Sequence, residues 1–272
     1  MPTAHLNSIR VHYEDTGSGD APVLMIMGTG SGGQPWHLHQ VPALAAAGHR
    51  VLTLTNRGIP PTDECTEGFT VMDMADDAIA LIEHLGLPPT HLVGTSLGAR
   101  IAAEVALGRP DLTNRLVLLA AAARDDRMRL ALSAAEREMQ EAGIVPPPAY
   151  RAAVKALTHL SPTTLADDTA AGEWLDLFEL YDGDGTAPGV RAQERMQPLP
   201  ARLNAYASLR VPTKVISFAD DLVTPPHFGA ELASAIRGAQ YEEIPDCGHF
   251  GYLERPEAVN RSILAFFGAA AS

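Results

Sequence analysis

Cysteine and lysine are nearly absent from this chain of 272 residues, which holds two of each: Cys65 and Cys247, Lys155 and Lys214. Two cysteines cannot make the multi-bridge framework of a small secreted domain, so the fold must rest on a packed core. Positive charge is also scarce. Twenty basic residues face 33 acidic ones, for a net charge of −13. That balance argues against nucleic acid and against anionic membrane surfaces as partners. Long apolar runs are missing as well. Stretches such as residues 116–123 fall far short of the ~20 residues a membrane-spanning helix requires. The opening Met1-Pro2-Thr3-Ala4-His5 has neither a basic flank nor a hydrophobic segment. No secretory signal is visible there, and the expected location is the cytoplasm.

What remains is ordinary globular material. At 46% hydrophobic residues, the chain is long enough for one α/β domain with a sizeable insertion. Residues 8–14 read as an edge strand entering from a hairpin. Short continuous apolar runs at 23–27, 50–54, 92–95, 115–119 and 213–218 read as buried strands. Helical spacing separates them at 40–47, 74–85 and from 99 onward, and returns at 227–236 and 256–267 around a strand at 240–244. Such alternation implies right-handed crossovers and a mostly parallel, doubly wound sheet covered on both faces. The pattern lapses between residues 124 and 209. Helical segments occur there at 130–142, 150–160, 172–181 and 190–196, broken by Pro146-Pro147-Pro148, Ser161-Pro162 and the loop Asp182-Gly183-Asp184-Gly185. The expected division is a core of residues 1–123 and 210–272 with a helical lid at 124–209.

One segment carries chemistry. The apolar strand ending His91-Leu92-Val93 runs straight into Gly94-Thr95-Ser96-Leu97-Gly98 and then into a helix-forming stretch. Gly-x-Ser-x-Gly between a strand and a helix is the layout of a nucleophile elbow, where a strained turn exposes a serine hydroxyl. A hydroxyl needs a base to become nucleophilic at neutral pH. Of the ten histidines, His5, His12, His49, His84 and His91 lie at edges or ends of elements and are expected in solvent. His37 and His39 are two apart, but no third metal ligand accompanies them at a sensible spacing. His159 lies in the insertion and His227 opens a helix. His249 stands apart: it follows a strand and the turn Pro245-Asp246-Cys247-Gly248, at the carboxyl edge where open α/β sheets gather their reactive groups. A third group must fix the base's tautomer. Asp220 and Asp221 both end the strand at 213–218, and only one of two adjacent acids can point inward.

With these residues in view, the chain resembles the α/β-hydrolase-fold family over nearly its whole length. The likeness rests on Gly94-Thr95-Ser96-Leu97-Gly98, on the order Ser, Asp, His, and on Gly248-His249-Phe250 with Glu254-Arg255-Pro256-Glu257 behind it. Met27-Gly28 after one strand and Asn56-Arg57-Gly58 after the next add to it. The resemblance implies Ser96 as nucleophile and His249 as base. It selects Asp221 as the orienting acid, because Asp221 stands four residues before Pro225 as is common in the family. It implies an oxyanion hole made by the backbone N–H of Leu97 and by that of Thr29, with Gly30 possible. Two departures concern the entrance. Met27 replaces a frequent histidine, and Ile59-Pro60-Pro61 stands where a second glycine is common.

The expected reaction is hydrolysis of a carboxylic ester or thioester of a small molecule through an acyl-enzyme, with no metal and no organic cofactor. An acyltransferase or cyclising thioesterase would keep the acyl-enzyme and change the acceptor. Arg124, Arg127, Arg129, Arg151, Arg191 and Arg195 in the insertion are candidates to meet a phosphopantetheine or a carrier protein. The same three side chains also serve carbon–carbon bond hydrolases and cofactor-free haloperoxidases. A catalytically silent ligand receptor on this scaffold is the alternative outside enzymology.

Overall fold

Asn7 and Ser8 both take left-handed backbone, with φ of 45° and 68°. Two such residues make the tight turn that joins consecutive strands, here β1 (Thr3–Leu6) and β2 (Ile9–Thr16). The computed structural model describes residues 2–66, 68–181, 187–196 and 200–268. Its single sheet has the order β1-β2-β4-β3-β5-β6-β7-β8. The further strands are β3 (Pro22–Ile26), β4 (Arg50–Leu54), β5 (Thr90–Thr95), β6 (Thr113–Leu119), β7 (Thr213–Phe218) and β8 (Gln240–Ile244). Only β1–β2 and β2–β4 pair antiparallel; every other neighbour is parallel. One expectation needs correcting. The strand predicted at 8–14 is not an edge, because β1 lies outside it. Four residues are too few for their alternation to register in the sequence.

The central strands bury both faces, which is why they read as unbroken apolar runs. Leu24, Ile26, Leu92, Leu116, Leu118 and Val215 point to one side, under α2 (Val71–His84), α3 (Leu97–Gly108) and α10 (Pro226–Ala235). Val23, Met25, Val93, Val117, Leu119 and Ile216 point to the other, under α1 (Trp36–Ala46), the single turn α11 (Gly251–Glu254) and α12 (Pro256–Gly268). Local chemistry sets the helix ends. Thr70 and Asp73 form a reciprocal capping box at the start of α2, and Gly86 with φ 58° follows its end. Helix α1 begins four residues before the predicted start. Pro42 sits inside it, and its missing N–H reads in sequence like a helix beginning.

Between β6 and β7 the chain passes through α4 (Arg127–Glu141), α5 (Pro148–His159), α6 (Pro162–Leu165), α7 (Asp168–Tyr181), α8 (Pro188–Glu194) and α9 (Leu203–Tyr206). Among the described residues this stretch contains no strand. The predicted loop at 182–185 lies outside the described residues. The single-turn helices α6 and α9 are too short to show a period. Helices α5 and α7 share a small core of Ala152, Ala156, Leu160 and Phe178, whereas α4 has no buried side chain in its 15 residues. No helix among the described residues is long and apolar enough to cross a membrane.

Two histidines expected in solvent are interior: His12 is 3% exposed and His91 is 4% exposed. His91 lies flat against Phe267, ring centroids 4.2 Å apart, so a neutral imidazole packs there as an aromatic plate. Burial pushes its pKa from 6.5 down to about 4, with the neighbouring His49 and Arg115 adding repulsion. The unfolded chain therefore takes up this proton near pH 6.5 and the folded chain only near pH 4. The resulting stabilisation is complete above pH 6.5 and is lost as pH falls toward 4, by at most about 3 kcal/mol. Urea midpoints should accordingly drop between pH 7.5 and 4.5, and His91→Gln should flatten that slope. Identical slopes for variant and parent would assign the acid sensitivity to other groups.

Candidate active site

Ser96 closes β5 with φ 54° and ψ −117°, a conformation that costs a non-glycine residue free energy and persists only when its surroundings impose it. Here they do. The Ser96 N–H donates to Leu119 O at 3.0 Å, and α3 starts at the next residue. A Cβ on Gly94 would sit 2.1 Å from Gly98 O, and one on Gly98 would sit 2.1 Å from Ile26 O. Both glycines of the motif are thus demanded by backbone passing backbone, and the first turn of α3 is wedged against the end of β3.

The candidate base and its candidate acid come from two loops at the same sheet edge. Asp221 is 2% exposed and His249 is 5% exposed. Asp221 Oδ1 accepts the N–H groups of Val223 (2.8 Å) and Thr224 (2.7 Å). Its Oδ2 lies 2.8 Å from His249 Nδ1. The turn leading to Pro225 therefore locks the carboxylate, and the carboxylate locks the imidazole with Nε2 facing away from it. Asp220 is only partly buried, and its N–H donates to Cys247 O at 3.0 Å. Of the two acids, the structure turns Asp221 inward.

β8 lies three strands from β5, so the histidine loop must run back across the sheet. It does so on small residues and side-chain anchors. The Phe218 ring fills the space a side chain on Gly251 would need. Tyr252 packs on Trp36 of α1, centroids 4.8 Å apart, and its carbonyl accepts from Gln40 Nε2 at 2.7 Å. The structure thus brings His249 and Asp221 into contact. It makes no hydrogen bond between Ser96 and His249: among the described residues neither Ser96 Oγ nor His249 Nε2 has a partner. Such contacts are often long without substrate and tighten when it binds.

The loop after β3 crosses Ser96, since a Cβ on Gly28 would meet Ser96 Cβ at 3.3 Å. Asn56 Nδ2 donates to Met27 O at 3.0 Å, so Met27 is held through its main chain while its side chain joins the core. The Gly30 N–H donates to Gln193 Oε1 at 2.8 Å and is thereby occupied. The N–H groups of Thr29 and Leu97 make no hydrogen bond among the described residues, which leaves Thr29 as the second candidate oxyanion donor.

Sequence reasoning missed three contributors, all tied to the insertion. Glu254 accepts from Gly248 N–H at 2.7 Å with Oε2, and from Ser161 N–H at 2.9 Å and Thr164 Oγ1 at 2.6 Å with Oε1. His159 sits edge-on to His249, ring centroids 5.4 Å apart. Burial, with repulsion from the nearby His249 and Lys155, lowers its pKa to about 3, and Lys155 O accepts from its Nδ1 at 3.1 Å. It is a neutral neighbour. Gln193 is the third. Only Glu254 stands in a recognisable motif; the others sit in helices whose register against the core no local pattern reports. Of the candidate arginines, Arg124 pairs with Glu231 and Arg129 with Asp125. His37 Nε2 lies 3.1 Å from Thr53 Oγ1 and 3.6 Å from Glu14.

With this geometry in place, comparison with known proteins is informative. BpoC of Mycobacterium tuberculosis, by name a non-heme bromoperoxidase, is 45% identical over 261 residues, 96% of this chain and 98% of its own. Its crystal structure matches with a TM-score of 0.91 over 96% of this chain and 97% of that one. RutD of Azorhizobium caulinodans, by name a carbamate hydrolase, is 27% identical over 98% of both chains. The 2-hydroxy-6-oxononadienedioate/2-hydroxy-6-oxononatrienedioate hydrolase of Paraburkholderia phymatum is 26% identical over 96% of this chain and 91% of its own. The family profile described as alpha/beta hydrolase fold covers residues 21–256, and the chain belongs to that family.

Proposed function

We propose that the chain is a serine hydrolase that cleaves a carboxylic ester, as oxyester or thioester, of a small molecule through an acyl-enzyme on Ser96. One conjunction carries this reading: a serine held at φ 54° on a strand-to-helix turn, at the same sheet edge as an imidazole fixed at 2.8 Å by a buried carboxylate. His249 Nε2 takes the hydroxyl proton as Ser96 Oγ attacks the carbonyl carbon. The carbonyl electron pair moves to oxygen, where the N–H groups of Leu97 and Thr29 meet it. Collapse expels the alkoxide or thiolate, protonated by His249. Water, deprotonated by the same imidazole, then releases the acid and restores Ser96. Asp221 keeps the imidazole in the required tautomer and stabilises its cation. The helices at 124–209 act as a lid that limits water. The proposed setting is the cytoplasm, where the unpaired Cys65 and Cys247 stay reduced.

The likeness to BpoC favours one second reading. Hydrogen peroxide supplied from solution would attack the same acyl-enzyme in place of water, releasing a peracid and free Ser96. Carrier-dependent acyl transfer has less support, because Arg124 and Arg129 are engaged with carboxylates of this chain. Exposure to a fluorophosphonate should give a single adduct, located at Ser96 by mass spectrometry. Oxyesters and thioesters of graded acyl length, with and without peroxide, then separate hydrolysis from peracid formation. No adduct would overturn the proposal in favour of a ligand receptor. An adduct without ester turnover would overturn the hydrolytic part and point to transfer.

A further inference from the structure

Helix α8 hydrogen-bonds to the proposed oxyanion loop through one side chain. Gln193 is 3% exposed and bridges two loops of the core. Its Oε1 accepts from Gly30 N–H at 2.8 Å, and its Nε2 donates to Arg57 O at 2.9 Å. The partners fix the carboxamide's orientation, since an N–H requires an acceptor and a carbonyl requires a donor. The helix is seated closely enough to hold that side chain in register. A Cβ on Gly189 would fall 1.7 Å from Gly58 O, and Val190 Cγ1 lies 3.3 Å from where a Cβ on Gly30 would be.

Gly30 follows Thr29, whose N–H makes no hydrogen bond among the described residues. The Thr29 N–H belongs to the preceding peptide, Gly28–Thr29, which can turn only about the backbone bonds that join it to the planar units on either side. Gln193 pins the Thr29–Gly30 peptide through Gly30 N–H, and Asn56 pins the Met27–Gly28 peptide through Met27 O at 3.0 Å, so the Gly28–Thr29 peptide that carries Thr29 N–H is held between two fixed units. We propose that Gln193 is a positioning residue of the oxyanion hole: by occupying Gly30 N–H it aims Thr29 N–H at the developing oxyanion and makes the hole dependent on α8 being docked. The catalytic part of this inference rests on the acyl-enzyme chemistry proposed above; the part concerning loop geometry does not.

The test uses Gln193→Leu, which removes both hydrogen bonds at similar volume, and Gln193→Glu, which retains the acceptor for Gly30. The activity-independent readout is the amide signal and hydrogen exchange of Gly30 and Thr29. Gln193→Leu should shift the Gly30 signal and speed its exchange at least tenfold, and Gln193→Glu should restore it. For turnover of a p-nitrophenyl ester, kcat per titrated Ser96 should fall about 10- to 100-fold in Gln193→Leu with KM changed less than threefold. Affinity for a trifluoromethyl ketone, whose tetrahedral adduct places an oxyanion in the hole, should fall by the same factor. Unchanged exchange at Gly30 would overturn the inference whatever the activity. So would a loss of activity that disappears once rates are expressed per titrated Ser96, because that marks a folding defect. If the parent protein forms no adduct and turns over no ester, the proposed function fails, and the exchange experiment still decides the role of Gln193.

Discussion

Ser96→Ala is expected to lower kcat for ester substrates by about 10⁴- to 10⁶-fold while leaving the fold intact. The effect is large because no other group among the described residues can take over. In the proposed mechanism the elbow presents one hydroxyl to the carbonyl, and His249 and Asp221 act only through it. Residual turnover would come from the N–H groups of Leu97 and Thr29 and from substrate binding alone. Structural damage should be slight, since Ser96 Oγ makes no hydrogen bond among the described residues and alanine at φ 54° meets the same backbone strain as serine. The measurement pairs kcat with thermal unfolding. Full turnover in a variant that melts like its parent would remove Ser96 from the chemistry.

Gly98→Ala should produce a large loss of stability from a single methyl group. Its Cβ would sit 2.1 Å from Ile26 O, 2.6 Å from Ile26 C and 2.7 Å from Met27 O. All three are main-chain atoms with no flexible tip to swing aside. Helix propensity favours alanine by about 1 kcal/mol, but either α3 or β3 must move, at a cost of about 3 kcal/mol or more. For a chain of this size that corresponds to a melting temperature lower by roughly 10 °C. Lifting α3 also carries Ser96 and Leu97 N–H away from the carbonyl, so fluorophosphonate labelling should slow in whatever remains folded. Gly172→Ala is the control. Gly172 lies within α7 with nothing near its Cβ position, and alanine there should be neutral or slightly stabilising. Equal melting temperatures for the two variants would refute the packing argument.

The parts of the site legible in the sequence are those set by local geometry. A strand followed by Gly94-Thr95-Ser96-Leu97-Gly98 leaves the backbone one way to turn. The stretch from Asp221 to Pro225 is also self-contained, since Oδ1 is occupied within three residues and Oδ2 is left for the imidazole. Parallel topology then brings these loops to one edge. Illegible were the contacts that depend on how separate elements dock. Gln193 meets Gly30 across 163 positions, and Ser161 meets Glu254 across 93. Each is polar and unremarkable in its own helix or turn. His12 and His91 were misplaced for a related reason: a neutral imidazole can fill an interior aromatic site, and periodicity records only polarity.

Glu254 has a mechanical consequence. Both of its carboxylate oxygens are committed, one to the start of α6 and the other to Gly248, the residue before His249. Sliding α6 would tug on the peptide next to His249, so this corner behaves as a rivet between insertion and core. Sequence drift meets fewer obstacles at α4, which has no buried side chain, than at this corner.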